Sequence, residues 1–232
     1  MESSQSVFAN SCVMHMPASR LLSVRMLGRE SCPDTMPSGN NPLCFDLIFE
    51  RIDNASVLSN FVCGIKEMDD FIHTRLQSYI DSTNSETYKI SMKDEIVAML
   101  TLKEDSLQLD DDDKDDMRHG FVPKPQIALD LPFYLKDTIF PSIEIAYLAV
   151  SVKHQIKGIG KYILEAVERK TKTEHPDCQF ITVDAYIGDG YSAVGFYSKC
   201  RFEPLELPHG GYKNTLRMYK VLSPVRQLDE YD

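Results

Sequence analysis

The stretch that decides the fold is VKHQIKGIGKYIL, residues 152–164. It follows a strongly apolar run at 143–150 and opens a helical pattern of apolar residues, so the local order is strand, short loop, helix. The start of a helix presents unpaired backbone N–H groups and the positive end of the helix dipole, which together attract anions. Gly158 and Gly160 also lack the Cβ atoms that would keep a phosphate away from the backbone.

The spacing of the two glycines distinguishes this loop from other phosphate-binding motifs. Gln155, Gly158 and Gly160 are spaced Q-x-x-G-x-G, whereas a P-loop needs G-x-x-x-x-G-K-[ST] and a Rossmann loop needs a third glycine. No Ser or Thr follows Lys161 to hold magnesium. A tight turn without a ligand is an equally good interpretation of this stretch alone, because glycine is the ordinary residue of turns.

The composition limits the class of protein. The chain has 232 residues, 43% of them apolar, which is enough for the core of one domain. Its formal net charge of −10 argues against broad nucleic-acid binding, which needs Lys and Arg to neutralise phosphates. The six cysteines (12, 32, 44, 63, 178 and 200) include no C-x-x-C pair, which predicts reduced thiols, no metal site and a cytoplasmic location. No apolar run is long enough for a membrane helix, and the first residues do not have the layout of a secretory signal.

The chain divides into three parts. Residues 1–42 are rich in Ser, Met, Pro, Asn and Gly, which predicts a disordered or irregular extension. Residues 43–222 carry the periodic patterns of one folded domain, and 223–232 form a polar tail. Residues 103–141 interrupt the periodicity with an acidic run (Asp110–Asp113, Asp115, Asp116) and several prolines. We interpret them as a solvated insertion, since their spacing does not fit a calcium loop.

Apolar periodicity predicts the elements of the domain. Strands are expected at Leu43–Glu50, Tyr88–Met92, Ile96–Leu102, Ser142–Val150, Phe180–Ala185 and Leu216–Leu222, with a further strand beginning near Phe202 and Pro204. Helices are expected at Val57–Phe61 (capped by Asn54 or Ser56), Lys66–Ile80, Gly158–Thr173 and Ser192–Lys199.

Two motifs in this order resemble the GNAT superfamily of N-acetyltransferases. The loop Gln155-x-x-Gly158-x-Gly160 is similar to the [RQ]-x-x-G-x-[GA] acetyl-CoA motif of that family. The segment 193–202, AVGFYSKCRF, is similar to its "A…FY.k.GF" segment. The resemblance covers residues 43–222 and implies an α/β (α+β) fold. Its central sheet would be mixed, mostly antiparallel and twisted, with six to seven strands flanked by helices, and splayed at the strand 143–150.

The opening of the domain resembles one subgroup of that superfamily. Residues 60–64 (NFVCG) and 68–72 (MDDFI) are similar to the "F-x-C-G…L-D-x-F-L" opening of a subgroup that includes toxins acetylating aminoacyl-tRNA. The chain departs from the pattern at two places. Arg201 stands where the family has Gly before its last Phe, and Tyr147 stands where it has Arg before Leu-Ala-Val.

The resemblance implies a donor site and catalytic residues. Acetyl-CoA would be the co-substrate, without a metal. Tyr197 would be the general acid and would also contact the cofactor, and Glu144 would be the general base, although a solvent-facing strand residue is an equal interpretation of Glu144. Asp184 could orient polar groups or serve in a cap or loop, and His154 is expected to be exposed. The implied cofactor-binding residues are Leu148, Ala149 and Val150 on the strand and Gln155, Ile156, Lys157, Gly158, Ile159, Gly160 and Lys161 in the loop.

Three functions follow from these expectations. The first is direct acetyl transfer to a primary amine of a small molecule, peptide or protein. The second is a toxin that acetylates aminoacyl-tRNA and is held by an antitoxin, although the net charge disfavours tRNA. The third is an acyl-CoA-binding regulatory module without turnover. The expected partners are acetyl-CoA and an amine acceptor, with no membrane, and a homodimer is compatible with all three.

Overall fold

A computed structural model describes residues 45–111, 139–188, 190–205 and 214–222. The predicted extension 1–42, the tail 223–232 and most of the acidic run lie outside the described residues. The strands are β1 Ile48–Arg51, β2 Ser85–Met92, β3 Glu95–Gln108, β4 Ile139–Val150, β5 Phe180–Gly188, β6 Tyr191–Ser192, β7 Glu203–Pro204 and β8 Thr215–Val221. The α-helices are α1 Lys66–Thr74, α2 Leu76–Ser82, α3 Ile159–Glu174 and α4 Val194–Lys199, and short 3₁₀ helices span Ala55–Leu58 and Val152–His154.

All eight strands belong to one mixed sheet. Its order is β1-β2-β3-β4-β5-β8-β7, and the two-residue β6 pairs with β5 off this path. Every pair is antiparallel except β4 with β5, which are parallel. The mixed, mostly antiparallel sheet flanked by helices confirms the predicted fold class. β6 is the strand beyond the predicted six to seven, and its Ser192 had been expected in a helix.

The sheet splays open in the middle of β4. β4 pairs with β5 only over Ser142–Ile145, and beyond that point β5 pairs with β8 instead. The register between β3 and β4 shifts at the same place, since Leu102 pairs with Ile145 and Thr101 pairs with Tyr147. This bulge leaves Ala146 as the extra residue and bends the strand away from β5. The predicted splay within 143–150 is therefore confirmed, and it begins after Ile145.

Helices cover both faces of the sheet. On one face, α3 buries the apolar side chains that recur at helical spacing, including Ile159, Ile163 and Val167, against the sheet. On the other face, α1 and α2 bury Phe71 and Leu76 against side chains of β3 and β4. The two faces meet at the splay, because the divergence of β4 and β5 opens the sheet between the layers.

Several element boundaries differ from the sequence-based expectation. β1 begins at Ile48 and β2 at Ser85, and the short helix expected at Val57–Phe61 is a 3₁₀ helix at Ala55–Leu58. The single helix expected over Lys66–Ile80 is two helices, because Arg75 leaves the helical conformation at φ −123°, ψ −20°. Apolar periodicity did not reveal this break, since both helices keep their apolar side chains toward the same sheet. Two strands also extend further than expected, because β3 continues to Gln108 and β4 begins at Ile139. The charged residues of β3 concealed this continuation.

Candidate active site

The glycine loop forms a strained turn that leads directly into α3. Gly158 is the N-cap residue of α3 and has a φ of 85°, in the left-handed region that favours glycine. Ile156 also has a positive φ, 63°, although its side chain is β-branched, and it is fully exposed. The first turn of α3 has no side-chain cap and no acidic residue. Its N–H groups are therefore available to an anion.

Gly160 has a packing role in this structure. A Cβ atom at this position would lie 3.0 Å from Cζ and 3.2 Å from Cε2 of Phe196. Helix α3 thus approaches α4 through Gly160, so that the glycine loop and the residue next to Tyr197 are in contact. The sequence had suggested only that this glycine admits a phosphate.

Three lysines surround the loop. Lys153 and Lys161 expose 77% and 66% of their side chains. Lys157 Nζ donates to the backbone carbonyl of Lys153 at 2.7 Å. Lys153 and Lys161 also lie 3.7 and 3.8 Å from the exposed carboxylates of Glu95 and Glu165. Such exposed pairs are weak, so three ammonium groups beside an uncapped helix start still favour a polyanionic ligand.

Gln155 joins the loop to the opening of the domain. Its side-chain amide donates to the carbonyl oxygens of Cys63, at 2.7 Å, and Val150, at 3.0 Å. The Asp69 carboxylate accepts from the backbone N–H groups of Cys63 and Gly64 at 2.8 and 3.0 Å. The segment 63–69 is therefore held between α1 and the glycine loop, which gives the C-G…D pattern of the sequence a structural reason.

His154 is buried, contrary to the expectation that it would be exposed. Only 8% of this residue is accessible, and Nε2 lies 3.7 Å from Glu95 Oε2. It belongs to the short 3₁₀ helix that precedes the loop. That turn folds the side chain back toward the β2–β3 hairpin.

A cavity of about 550 Å³ opens at the splay between the sheet and the pair α1–α2. The helix side of the lining comes from α1, α2 and the residue before α1: Ile65, Glu67, Met68, Phe71, Arg75, Ser78, Tyr79 and Ser82. The sheet side comes from β4 and β5: Ile145, Ala146, Tyr147, Leu148, Val183, Asp184 and Tyr186. The segment after β5 adds Tyr191, Ala193 and Tyr197. The cavity is bounded by the part of β4 that has left β5. Backbone groups of that part which face β5 have no strand partner among the described residues.

The predicted cofactor residues of β4 have different positions. Leu148 lines the cavity. Ala149 is buried in the cluster under α1, and the carbonyl of Val150 accepts the hydrogen bond from Gln155. The predicted loop residues 155–161 do not line the cavity. Gly160 lies next to Val150 and Phe196, which are outside the lining as well.

Tyr197 lies on α4 and is 5% exposed. Its ring packs edge-on against Phe196 and Phe202, with centroid separations of 5.1 and 5.3 Å. It also lines the cavity, and its hydroxyl forms no hydrogen bond with any residue that the structure describes. Burial raises the pKa of Tyr197 above the ordinary phenol value, so the hydroxyl is protonated at neutral pH and can donate.

An aromatic wall closes the cavity on the helix side. The rings of Phe71 and Tyr147 stack with centroids 4.0 Å apart, and Tyr79 meets Tyr147 edge-on at 5.2 Å. Arg75 lies over Phe71, 5.5 Å from the ring centroid. Tyr147, which stands where the resembling family has Arg, thus belongs to this wall.

A charged network lies beside the cavity on the same face of the sheet. Arg217 contacts three carboxylates, those of Asp105, Asp184 (3.3 Å) and Glu144 (3.6 Å). Lys103 Nζ lies 3.0 Å from Glu144. Burial alone would lower the pKa of Arg217, but the three carboxylates outweigh it and raise that pKa. Of these five side chains only Asp184 lines the cavity.

The predicted base Glu144 is inside this network. The residue is 7% exposed, and both its partners are cations. It does not line the cavity. The structure therefore brings Tyr197 and Leu148 together at the cavity, and Glu144 is not among the lining residues.

No described cysteine has the setting of a nucleophile. Burial raises the pKa of the Cys63 thiol to about 12 and that of Cys178 to about 11, and a thiol rather than a thiolate is a poor nucleophile. Within the described ranges, no group of His, Cys, Asp and Glu side chains is arranged to hold a metal ion. In the same residues, no helix is long and apolar enough to cross a membrane.

Sequence patterns did not indicate several residues of the site. Arg217 and the cavity-lining residues Phe71 and Tyr79 had been noticed only as members of a strand or a helix. Phe71 is part of the MDDFI segment, which was the one available signal for that wall. Arg217 carries no local signal, because its partner Asp105 is 112 residues away in the chain.

Comparison with known proteins yields matches only among solved structures. No family model and no curated protein matches this chain. A bacterial toxin matches with a TM-score of 0.54 and 16% identity, covering 76% of this chain and 90% of its own. A tyrosine-to-phenylalanine mutant of KacT has a TM-score of 0.53 and 15% identity, covering 76% and 95%. AtaT complexed with acetyl-methionyl-tRNAfMet has a TM-score of 0.53 and 18% identity, covering 74% and 94%. At these identities the likeness establishes the fold, which is that of the GNAT proteins.

Proposed function

We propose that this chain, which has the GNAT fold, is an acetyl-CoA-dependent N-acetyltransferase that transfers the acetyl group directly to a primary amine. The observation that carries the proposal is the splay of β4 from β5, with a cavity at the splay and an uncapped, lysine-flanked helix start at the end of β4. A polyanion at the helix start and an extended arm along the free edge of β4 suit a CoA thioester.

The donor would be held by two parts of the chain. The N–H groups of the first turn of α3 and the exposed Lys153, Lys157 and Lys161 would bind its phosphates. The backbone of Leu148 and its neighbours in β4 would pair with its pantetheine arm. A backbone N–H on this edge would polarise the thioester carbonyl, as in an oxyanion hole.

Acetyl transfer to a neutral amine forms a C–N bond and breaks a C–S bond. The amine nitrogen loses one proton to water, and the leaving thiolate, which must be stabilised, takes up one proton from water to become free CoA. We assign this stabilisation to the Tyr197 hydroxyl, which lines the cavity and is protonated. An ordinary thiol has a pKa of about 8.5, so full proton transfer from a phenol whose pKa is raised is uphill. Hydrogen-bond donation to the developing thiolate is the favoured contribution of Tyr197. Glu144 would hold Arg217 in place beside Asp184.

The donor site is tested by acetyl-CoA binding to the full chain. Gly158→Glu puts a carboxylate at the helix start, where it would repel a phosphate and strain a left-handed residue. Acetyl-CoA affinity should fall at least about tenfold, which corresponds to ~1.4 kcal/mol. Gly190→Glu is the matched control, because Gly190 has a φ of 80° and nothing within 4 Å of its Cβ position, and it lies outside the loop. Equal affinity losses in both variants would refute the loop as the donor site.

Turnover is tested by chromatographic detection of free CoA with amines, peptides and aminoacyl-tRNA as acceptors. Release that depends on an amine and falls in Tyr197→Phe supports the proposed enzyme. Binding of acetyl-CoA without release on any acceptor would favour the regulatory module.

A toxin that acetylates aminoacyl-tRNA is the second candidate. It is supported by the NFVCG and MDDFI segments and by the complex of AtaT with acetyl-methionyl-tRNAfMet among the matching structures. The net charge of −10 opposes it. Growth arrest on expression, lost in Tyr197→Phe, together with acetylation of aminoacyl-tRNA in vitro, would establish it. An antitoxin partner is expected only in that case.

A further inference from the structure

The charged network beside the cavity is not balanced. Its three carboxylates, Asp105, Glu144 and Asp184, face two cations, Lys103 and Arg217. Arg217 is shared among all three carboxylates, and Lys103 serves Glu144. One negative charge is therefore left without a cation of its own within the network.

Asp184 is the member of the network that opens into the cavity. Its side chain is 23% exposed, and the hydrogen bond from Arg217 goes to Oδ1. Oδ2 accepts no hydrogen bond from the residues that the structure describes. Tyr197 lines the same cavity and, although 5% exposed, also has no hydrogen-bond partner among them. Asp184 Oδ2 can therefore accept, and the Tyr197 hydroxyl can donate, a hydrogen bond to a molecule in the cavity, which indicates a polar ligand.

The other ionisable groups of the cavity are less suited to hold a ligand charge. Glu67 is exposed in the first turn of α1, where water screens its charge. Arg75 is exposed and lies over Phe71 at the helix side. Asp184 is therefore the only half-buried carboxylate among the lining residues.

We propose that Asp184 binds the ammonium group of the acceptor, and that the aromatic wall of Phe71, Tyr79 and Tyr147 receives an apolar or aromatic substituent on it. The inference deepens the proposed function and rests on it. An ammonium donates to Oδ2 and supplies the cation that the network lacks. It releases one proton to water before its nitrogen can attack the thioester, so Asp184 selects the acceptor and does not activate it. The acceptor class is then a primary amine, cationic at neutral pH, carried on a bulky apolar body. Asp184 is in this scheme a specificity-determining residue.

The test compares two ligands of the same shape and different charge. The full chain, saturated with CoA, is titrated by calorimetry with 2-phenylethylamine, which is cationic at pH 7, and with 2-phenylethanol, which is neutral. The amine should bind at least about tenfold more tightly, as expected for a hydrogen bond to a charged group. In Asp184→Asn the two affinities should come within about threefold of each other, since the charge is gone but the shape is kept.

Glu67→Gln is the matched control, because it removes the same charge from the opposite wall of the same cavity. It should keep the preference for the amine. Three results would each overturn the proposal. The wild-type chain shows no preference for the amine over the alcohol, Asp184→Asn keeps that preference, or Glu67→Gln loses it to the same extent as Asp184→Asn. If Asp184→Asn does not fold, Asp184→Glu, which keeps the charge, must retain the preference, and its loss there refutes the assignment.

The experiment separates this inference from the proposed function. It measures ligand binding with CoA rather than acetyl-CoA, so no acetyl transfer takes part. If the chain prefers the amine but never releases CoA from acetyl-CoA, the ammonium site is supported and the proposed enzymatic function is refuted. If the chain releases CoA from acetyl-CoA but binds both ligands with equal affinity, the proposed enzymatic function is supported and the ammonium site is refuted.

Discussion

Replacing Tyr197 with phenylalanine should separate the activity of this protein from its stability. The substitution removes one hydroxyl and keeps the ring, so the edge-on contacts with Phe196 and Phe202 remain. Since that hydroxyl has no hydrogen-bond partner among the described residues, we expect the free energy of unfolding to change by no more than about 0.5 kcal/mol. The loss of a donor for the leaving thiolate should lower kcat by about 10²-fold or more.

Tyr219→Phe provides the matched control. Tyr219 is also 5% exposed, but its hydroxyl donates to Glu203 Oε2 at 3.2 Å and its ring packs on Phe180, 6.1 Å between centroids, in a cluster apart from the cavity. Removing this hydroxyl should cost about 1–1.5 kcal/mol. For a chain of this size that corresponds to a decrease in Tm of roughly 3–5 °C. Its activity should be unchanged.

Both variants can be compared in two assays, urea unfolding followed by circular dichroism and CoA release with the best acceptor found. The expected result is a crossed pattern, in which Tyr197→Phe is stable and inactive and Tyr219→Phe is less stable and active. If Tyr197→Phe loses as much stability as Tyr219→Phe and keeps its kcat, Tyr197 is a packing residue and the assigned donor role is wrong.

Three other substitutions test the local physical chemistry. Gly160→Ala should lower the free energy of unfolding by about 1–3 kcal/mol through its clash with Phe196; urea unfolding measures this, and Phe196→Leu in the same chain should restore part of it. Arg201→Gly should raise that free energy by up to about 1 kcal/mol, because Arg201 has a φ of 69°; Arg201→Ala keeps the strain and should show no gain. Burial raises the pKa of Glu86, but the hydrogen bond from Tyr88 and the nearby cations outweigh it, and the pKa is lowered. Glu86 therefore stabilises the fold above its unfolded pKa of about 4.3, and this contribution is lost as the pH falls through the folded pKa. The difference in free energy of unfolding between wild type and Glu86→Gln should shrink as the pH falls below about 4.3. A difference that does not change below that pH would contradict the assigned pKa shift.

Arg201 and Tyr147 depart from the family pattern for different structural reasons. Arg201 replaces a glycine, and the structure shows why glycine is usual there, since the residue ends α4 in a left-handed conformation. Tyr147 replaces an arginine, and the structure places it against Phe71 in the aromatic wall. The first departure is a matter of backbone conformation and the second a matter of side-chain partners.

The sequence by itself determined the local order of elements around residues 152–164. Apolar spacing predicted β4 and α3, and hence the loop between them. A strand or helix turns one face to the core, so its apolar residues recur with the period of that element. The glycines indicated the turn, and the resemblance of the two motifs to the GNAT superfamily implied the fold class. These properties depend on residues close together in the chain, so they can be recognised without the tertiary structure.

Only the tertiary structure decided which polar groups meet. Gln155 reaches Cys63 across 92 residues, and Arg217 reaches Asp105 across 112. The contact of Glu144 with Arg217, and the position of Asp184 at the cavity, depend on strand register and on the bulge at Ala146. A shift of one residue in register turns every side chain to the other face, and local periodicity carries no information on which strands become neighbours.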